Sequence, residues 1–195
     1  MGNETNKSYE YRVKKGYGKF FQGKGLDIGC GTSLLSSEIF TGITELVPYD
    51  NEDGRHENDG NTCSNLEDNS FDFVYSSHCL EHMDNPYDAF GHWVRVCKSG
   101  GVIFTSVPHE IFYEKSTWPS PFAPSHHNTS WTLEWESDLP KSINVSNFIK
   151  HFEEKGLVEK VLAETALEDF SFRNFFQDQT TGLAICQIDF IVRKK

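Results

Sequence analysis

The stretch Gly25-Leu26-Asp27-Ile28-Gly29-Cys30-Gly31-Thr32-Ser33 decides the reading of this chain. An apolar run ends in glycines, and the run Ser33 to Phe40, with Leu34, Leu35 and Ile39, follows as a predicted helix. Thr32 or Ser33 is its candidate cap and Gly42 its stop. A strand, a glycine turn and a helix start together form a ligand cradle. Gly29 and Gly31 let backbone come close to a bound molecule, and a helix N-terminus offers free N–H groups. Cys30 between them is small enough for the same loop. The dinucleotide fingerprint G-x-G-x-x-G fails here, because its last glycine falls on Leu34. Asp27 just before the first glycine also departs from it and suggests a ligand carrying a cationic group.

Working outward, Ile43 to Tyr49 reads as a second strand. Asp50 closes it, 19 residues after Gly31, where a carboxylate can accept both hydroxyls of a ribose. The polar stretch Asp50 to Ser70 reads as loop. Phe71 to Tyr75 is a third strand. Asn85-Pro86 opens a helix through Ala89, Phe90, Trp93, Val94 and Val96, ended by Lys98-Ser99-Gly100-Gly101. Val102 to Val107 is a fourth strand, Asn144 to Lys155 a helix, Leu157 to Leu162 a strand and Leu183 to Val192 the last strand. Strands alternating with helices predict an α/β fold with a mostly parallel sheet.

The chain has 195 residues and a net charge of −11, which suits one domain with a substantial core. Such acidity argues against a nucleic-acid partner. The only basic clusters, Arg12-Val13-Lys14-Lys15 and Arg193-Lys194-Lys195, read as solvated ends. No apolar run is long enough to span a membrane, and the start lacks the apolar core of a signal peptide. Five scattered cysteines without a C-x-x-C pair read as reduced thiols, so a cytoplasmic setting is expected.

Residues 109–140 break the rhythm. Rich in proline, aromatic residues and histidine, they read as an ordered insertion over a site. His109 follows the fourth strand, at the sheet edge where ligands of such folds bind. His126 and His127 lie in the insertion. These three are the candidates for substrate contact or proton removal. Phe112, Tyr113, Trp118, Phe122, Trp131 and Trp135 either pack the insertion or wall a pocket. Tyr9, Tyr11 and Tyr17 are candidates for a lid. His78, Glu81 and His82 have spacing that could hold a metal on a helix, but His78 falls at a strand end, so no metal is expected. His56, His92 and His151 read as solvated.

The set of Leu26-Asp27-Ile28-Gly29-Cys30-Gly31-Thr32-Ser33, Asp50, Phe71-Asp72-Phe73-Val74, His78-Cys79-Leu80-Glu81-His82 and Lys98-Ser99-Gly100-Gly101 resembles a class I S-adenosylmethionine-dependent methyltransferase of small-molecule type, over about residues 23–108. The resemblance implies a Rossmann-like three-layer sandwich around a mostly parallel seven-stranded sheet with an antiparallel last strand. It implies that Asp27, Gly29, Cys30 and Gly31 hold the methionyl part of the cofactor. Asp50 would take the ribose, Asp59 or Asn61 the adenine, and the His78 backbone the methionyl amine. Ser33 stands where the family motif has its third glycine. The expected reaction is methyl transfer from S-adenosylmethionine to an oxygen or nitrogen of a small molecule, with a sugar or glycan hydroxyl as first guess. The alternatives are a non-catalytic cofactor-binding module and aminopropyl transfer. The oligomeric state stays open.

Overall fold

The computed structural model describes residues 4–51 and 58–195. A six-stranded sheet organises the chain: β1 (Gly23–Ile28), β2 (Ile43–Tyr49), β3 (Phe71–Ser77), β4 (Cys97–Pro108), β7 (Val158–Glu168) and β8 (Ile185–Lys194), in the order β2-β1-β3-β4-β8-β7. The first four run parallel, with Leu26 opposite both Val47 and Val74, and Val74 opposite Ile103. Strand β8 lies antiparallel between β4 and β7. A short parallel pair, β5 (Ser130–Thr132) and β6 (Ser142–Asn144), stands apart. The expected α/β architecture with an antiparallel last strand is present, built on six strands among the described residues rather than seven.

Two helices cover one face. Helix α3 (Pro86–Val96) starts where Asn85 accepts a hydrogen bond from the Tyr87 N–H at 3.1 Å. It buries Ala89, Phe90, Trp93, Val94 and Val96. Helix α4 (Val145–Glu154) is capped by Asn144, which accepts from the N–H of Ser146 and of Asn147. Its Val145, Phe148, Ile149 and Phe152 join the same core with Leu26, Val74, Ile103 and Phe190. Trp131 is fully buried in this core, so that tryptophan of the insertion is packing material.

The other face is covered differently. Two short helices, α1 (Glu4–Lys7) and α2 (Tyr9–Lys14), and the turn Tyr17–Phe20 lay Tyr11, Tyr17 and Phe21 against Phe73, Tyr75 and Phe104. Leu35 and Phe40 complete this layer. The helix expected over Ser33 to Phe40 does not form. Its backbone groups are taken elsewhere: the Leu35 N–H donates to the Asp27 carboxylate at 2.7 Å, and the Leu34 carbonyl accepts from the Tyr9 hydroxyl at 2.7 Å. One helical turn survives, Phe40 N–H to Ser36 carbonyl at 3.0 Å. Of the supposed apolar face only Leu35 is buried; Leu34 and Ile39 are exposed.

Two further expectations change. Strand β7 runs six residues past Leu162, because the stretch Ala163 to Glu168 pairs residue by residue with β8 despite its helix-prone composition. In the basic cluster at residues 12–15, Lys14 and Lys15 are exposed as expected, but Arg12 is fully buried. Its guanidinium donates to the Thr5 carbonyl, Ser77 Oγ and Ser106 Oγ, and lies 5.1 Å over the Tyr75 ring. Ser106 Oγ donates in turn to buried Asp189 at 2.6 Å. Near the other end, Lys194 ties down the carbonyl of Cys97 and Asn69 Oδ1.

Candidate active site

Parallel strands leave a crevice beyond their carboxyl ends, and here it opens where the order turns from β1 to β3. A cavity of about 580 Å³ occupies it. Its walls are the Gly29–Ser33 loop, Tyr49–Asn51, Asn58–Asn61, the turn after β3, and part of the 109–140 segment. That volume is typical of a small-molecule site.

The glycine loop is built by positive backbone angles, φ 73° at Gly29 and φ 50° at Gly31. A β-carbon at Gly29 would sit 2.3 Å from Cys79 Sγ, so close packing as well as backbone angle requires glycine there. Gly31 donates its N–H to Asp50 Oδ2 at 2.8 Å. Cys30 is buried in the loop and lines the cavity. Asp27 stands behind the loop and does not line the cavity. Its Oδ2 holds the Leu35 N–H and its Oδ1 has no hydrogen-bond partner. Burial pushes its carboxyl up to about 7, opposed mainly by the Leu35 N–H.

Asp59 and Asn61 line the opposite wall. Asp59 organises its own turn, accepting from the Asn61 N–H, Asn61 Nδ2 and Thr62 Oγ1. Asn61 Oδ1 accepts from the Asp84 N–H at 2.9 Å, and Trp93 Nε1 donates to the Gly60 carbonyl at 2.8 Å. Helix α3 therefore fixes this wall. His78 adopts φ 52° just past β3 and donates its backbone N–H to the Ser106 carbonyl at 2.9 Å. Its ring is 3.2 Å from Gln187 Oε1, and burial holds its pKa well below the ordinary histidine value.

The three histidine candidates part company. His127 is buried and lines the cavity; its Nδ1 lies 2.5 Å from Glu114 Oε1. A carboxylate on Nδ1 leaves Nε2 with its lone pair, the arrangement of an oriented general base. His126 lines the cavity mouth with an exposed ring, and its carbonyl accepts from His82 Nδ1 at 2.8 Å. His109 lines no part of the cavity. Strand β4 carries it on to a bridge with Trp131, its N–H donates to the Cys186 carbonyl, and its buried ring packs on Phe112 and Trp135 near Glu134. The structure thus separates His109 from the other two.

Several residues escaped the sequence reading as members of the site. Glu81 is fully buried, with burial pushing its carboxyl up to about 8. Glu114 orients His127, and Glu4 and Thr5 line the cavity beside Tyr113 and Phe122, two of the aromatic residues expected to wall a pocket. Glu110 is turned away and accepts from Ser130 and Ser142. Tyr11 and Tyr17 are not a lid: both hydroxyls donate to Glu164 on β7. His92 and His151 are half-buried rather than solvated, and His56 lies outside the described residues. None of the five cysteines is disulfide-bonded. No helix among the described residues is long and apolar enough to cross a membrane.

Residues 26–105 match the family described as Methyltransferase domain. No curated protein matches the chain. Among solved structures, an S-adenosylmethionine dependent methyltransferase from Mesorhizobium loti is 14% identical, with 97% of this chain and 99% of that one covered and a TM-score of 0.64. The YcgJ protein from Bacillus subtilis is 12% identical, with 96% and 97% covered and a TM-score of 0.58. At such identity these likenesses speak for the fold along nearly the whole chain, and the match over residues 26–105 speaks for the domain type. Residues 26–105 thus carry the match to a methyltransferase domain, on a fold that nearly the whole chain shares with S-adenosylmethionine-dependent methyltransferases.

Proposed function

We propose that this enzyme transfers the methyl group of S-adenosylmethionine to an oxygen or nitrogen of a small molecule, with a sugar or glycan hydroxyl as the first acceptor to try. One observation carries the reading: a single cavity is lined by both the glycine loop with Asp50 and the insertion residues Tyr113, Phe122, His126 and His127. The residues present fit the cofactor. Gly29, Cys30 and Gly31 would hold its methionyl part beside the His78 backbone, Asp50 its ribose, and the Asp59–Asn61 wall its adenine. Asp27 would act from behind, fixing the loop through Leu35.

The bound sulfonium supplies an already activated methyl group. What this chain must add is alignment, exclusion of water and a place for a proton. Residues 109–140 cap the single domain and close the cavity, docked through the Asn128 and Thr129 N–H groups on the Glu81 carbonyl. His127, held at Nδ1 by Glu114, would take the proton of an acceptor hydroxyl on Nε2. Tyr113 and Phe122 offer ring faces to a flat or saccharide acceptor.

Calorimetric titration with S-adenosylmethionine and its demethylated product, with NADH as control, tests the first half. Binding of the first two alone is expected, and binding of none would overturn it. Transfer of a labelled methyl group to a panel of saccharides and amines tests the second half. Tight cofactor binding with no transfer would favour the non-catalytic module; transfer from decarboxylated cofactor to a polyamine would favour aminopropyl chemistry.

A further inference from the structure

We propose that Glu81, His82 and His127 form a binding site for one divalent transition-metal ion of the zinc type, held by Oε1 of the carboxylate and Nε2 of each imidazole. The three ligand atoms lie within 4.8 Å of one another. His82 Nε2 is 3.7 Å and His127 Nε2 4.0 Å from Glu81 Oε1. Around an ion with bonds of about 2.0–2.1 Å, tetrahedral neighbours sit about 3.4 Å apart, so a modest contraction closes the set. His82 can supply that movement, because its side chain is 37% exposed.

Glu81 is the second, independent observation. Its side chain is fully buried, and neither carboxylate oxygen has a hydrogen-bond partner. A buried carboxylate with both oxygens unsatisfied is costly unless something cationic joins it. The imidazoles are also prepared for that role. His82 Nδ1 faces the His126 carbonyl and His127 Nδ1 faces the Glu114 carboxylate; these partners can only accept. Both protons are thereby fixed on Nδ1, and both Nε2 lone pairs are left for the shared carboxylate. An acceptor on the far nitrogen is how histidines that ligate metals are commonly oriented. Glu114 is fixed in turn by Ser120.

Imidazole with carboxylate selects borderline ions over magnesium or calcium, which prefer all-oxygen sets. All three residues line the cavity, so the remaining coordination position faces the space where the acceptor would bind. An ion there turns His127 from a proton acceptor into a ligand and offers the acceptor oxygen a Lewis acid instead. The sequence reading expected no metal, because it considered only the spacing of His78, Glu81 and His82. The missing partner comes from the insertion, 45 residues beyond His82.

Cobalt(II) is the probe, added to the metal-stripped full chain and followed by visible absorption and calorimetry, without cofactor or acceptor. We expect one equivalent to bind at micromolar level or tighter, with the d–d bands of a nitrogen- and oxygen-ligated ion of low coordination number, displaceable by zinc. Glu81→Gln and His82→Asn should abolish those bands, and Glu114→Gln should weaken binding about 10–100-fold through the orientation of His127. His82→Asn keeps the test open if Glu81→Gln fails to fold. Absence of saturable binding at millimolar cobalt, or bands unchanged in His82→Asn, overturns the site. Neither result depends on methyl transfer, so the metal site and the transferase reading fail separately.

Discussion

The Gly31 N–H donates to Asp50 Oδ2 at 2.8 Å, which joins the glycine loop after β1 to the residue after β2. The two parts of the proposed cofactor site are therefore one unit. Asp50→Ala removes the acceptor for the ribose hydroxyls and unpins the loop together. S-adenosylmethionine affinity should fall by about 1–3 kcal/mol, read by calorimetry. Unchanged affinity would take Asp50 out of the site.

Asp27 makes stability fall with rising pH. Its carboxyl is raised from 3.8 to about 7 by burial, so the folded state binds its proton more tightly than the unfolded one. Between those two values the unfolded state loses the proton first, and folding stability declines as pH rises. Asp27→Asn removes this slope. Across that window the difference between wild type and variant in urea-unfolding free energy should change by about 2–4 kcal/mol. A constant difference would mean that Asp27 titrates normally.

His127 and His109 should separate in kinetics. With a competent acceptor, His127→Ala should lower kcat by about 10²–10⁴-fold while cofactor affinity changes little. His109→Ala, outside the cavity, should lower the melting temperature through its lost packing on Phe112 and Trp135 and leave kcat of the folded fraction near wild type. A kcat loss of equal size in both variants would refute the assignment.

Arg12 holds together four elements through Thr5, Ser77 and Ser106, and its charge opposes the burial of Asp189. Arg12→Met should cost about 3–5 kcal/mol of stability by leaving that carboxylate without its compensating cation. Adding Asp189→Asn should recover part of the loss. Chemical denaturation of the single and double variants measures both; a cost below ~1 kcal/mol for the single variant would show that the network is dispensable.

Elements with period or punctuation were legible in the sequence. Asn85-Pro86 and Asn144 open their helices as read, because a capping side chain acts on its own neighbours. The strands from Leu26, Ile43, Phe71 and Val102 follow from runs of apolar residues. The segment Ser33 to Phe40 misled because its backbone partners, Asp27 and Tyr9, are remote from any helical register. Ala163 to Glu168 misled because pairing with β8 overrides local propensity. At the site, the glycine loop and Asp50 were visible as a motif. The Glu81, Glu114 and His127 cluster was not, since it joins the turn after β3 to an insertion without periodicity. Arg12 looked like surface charge until its buried acceptors were placed.

Strand β8 occupies the gap between β4 and β7, and its residues 185–194 follow both strands in the sequence. Until they emerge, β4 and β7 each lack a neighbour on that side, and the apolar stretch of β4 from Val102 to Val107 is an open edge. The sheet therefore cannot close before β8 is made, and folding awaits contacts between residues about 80 positions apart, as Ser106 and Asp189 show. Removing even the final strand's few residues would strip hydrogen-bonding partners from the middle of the sheet, not from its rim. The nascent chain should depend on protection from aggregation until residues 185–194 are free.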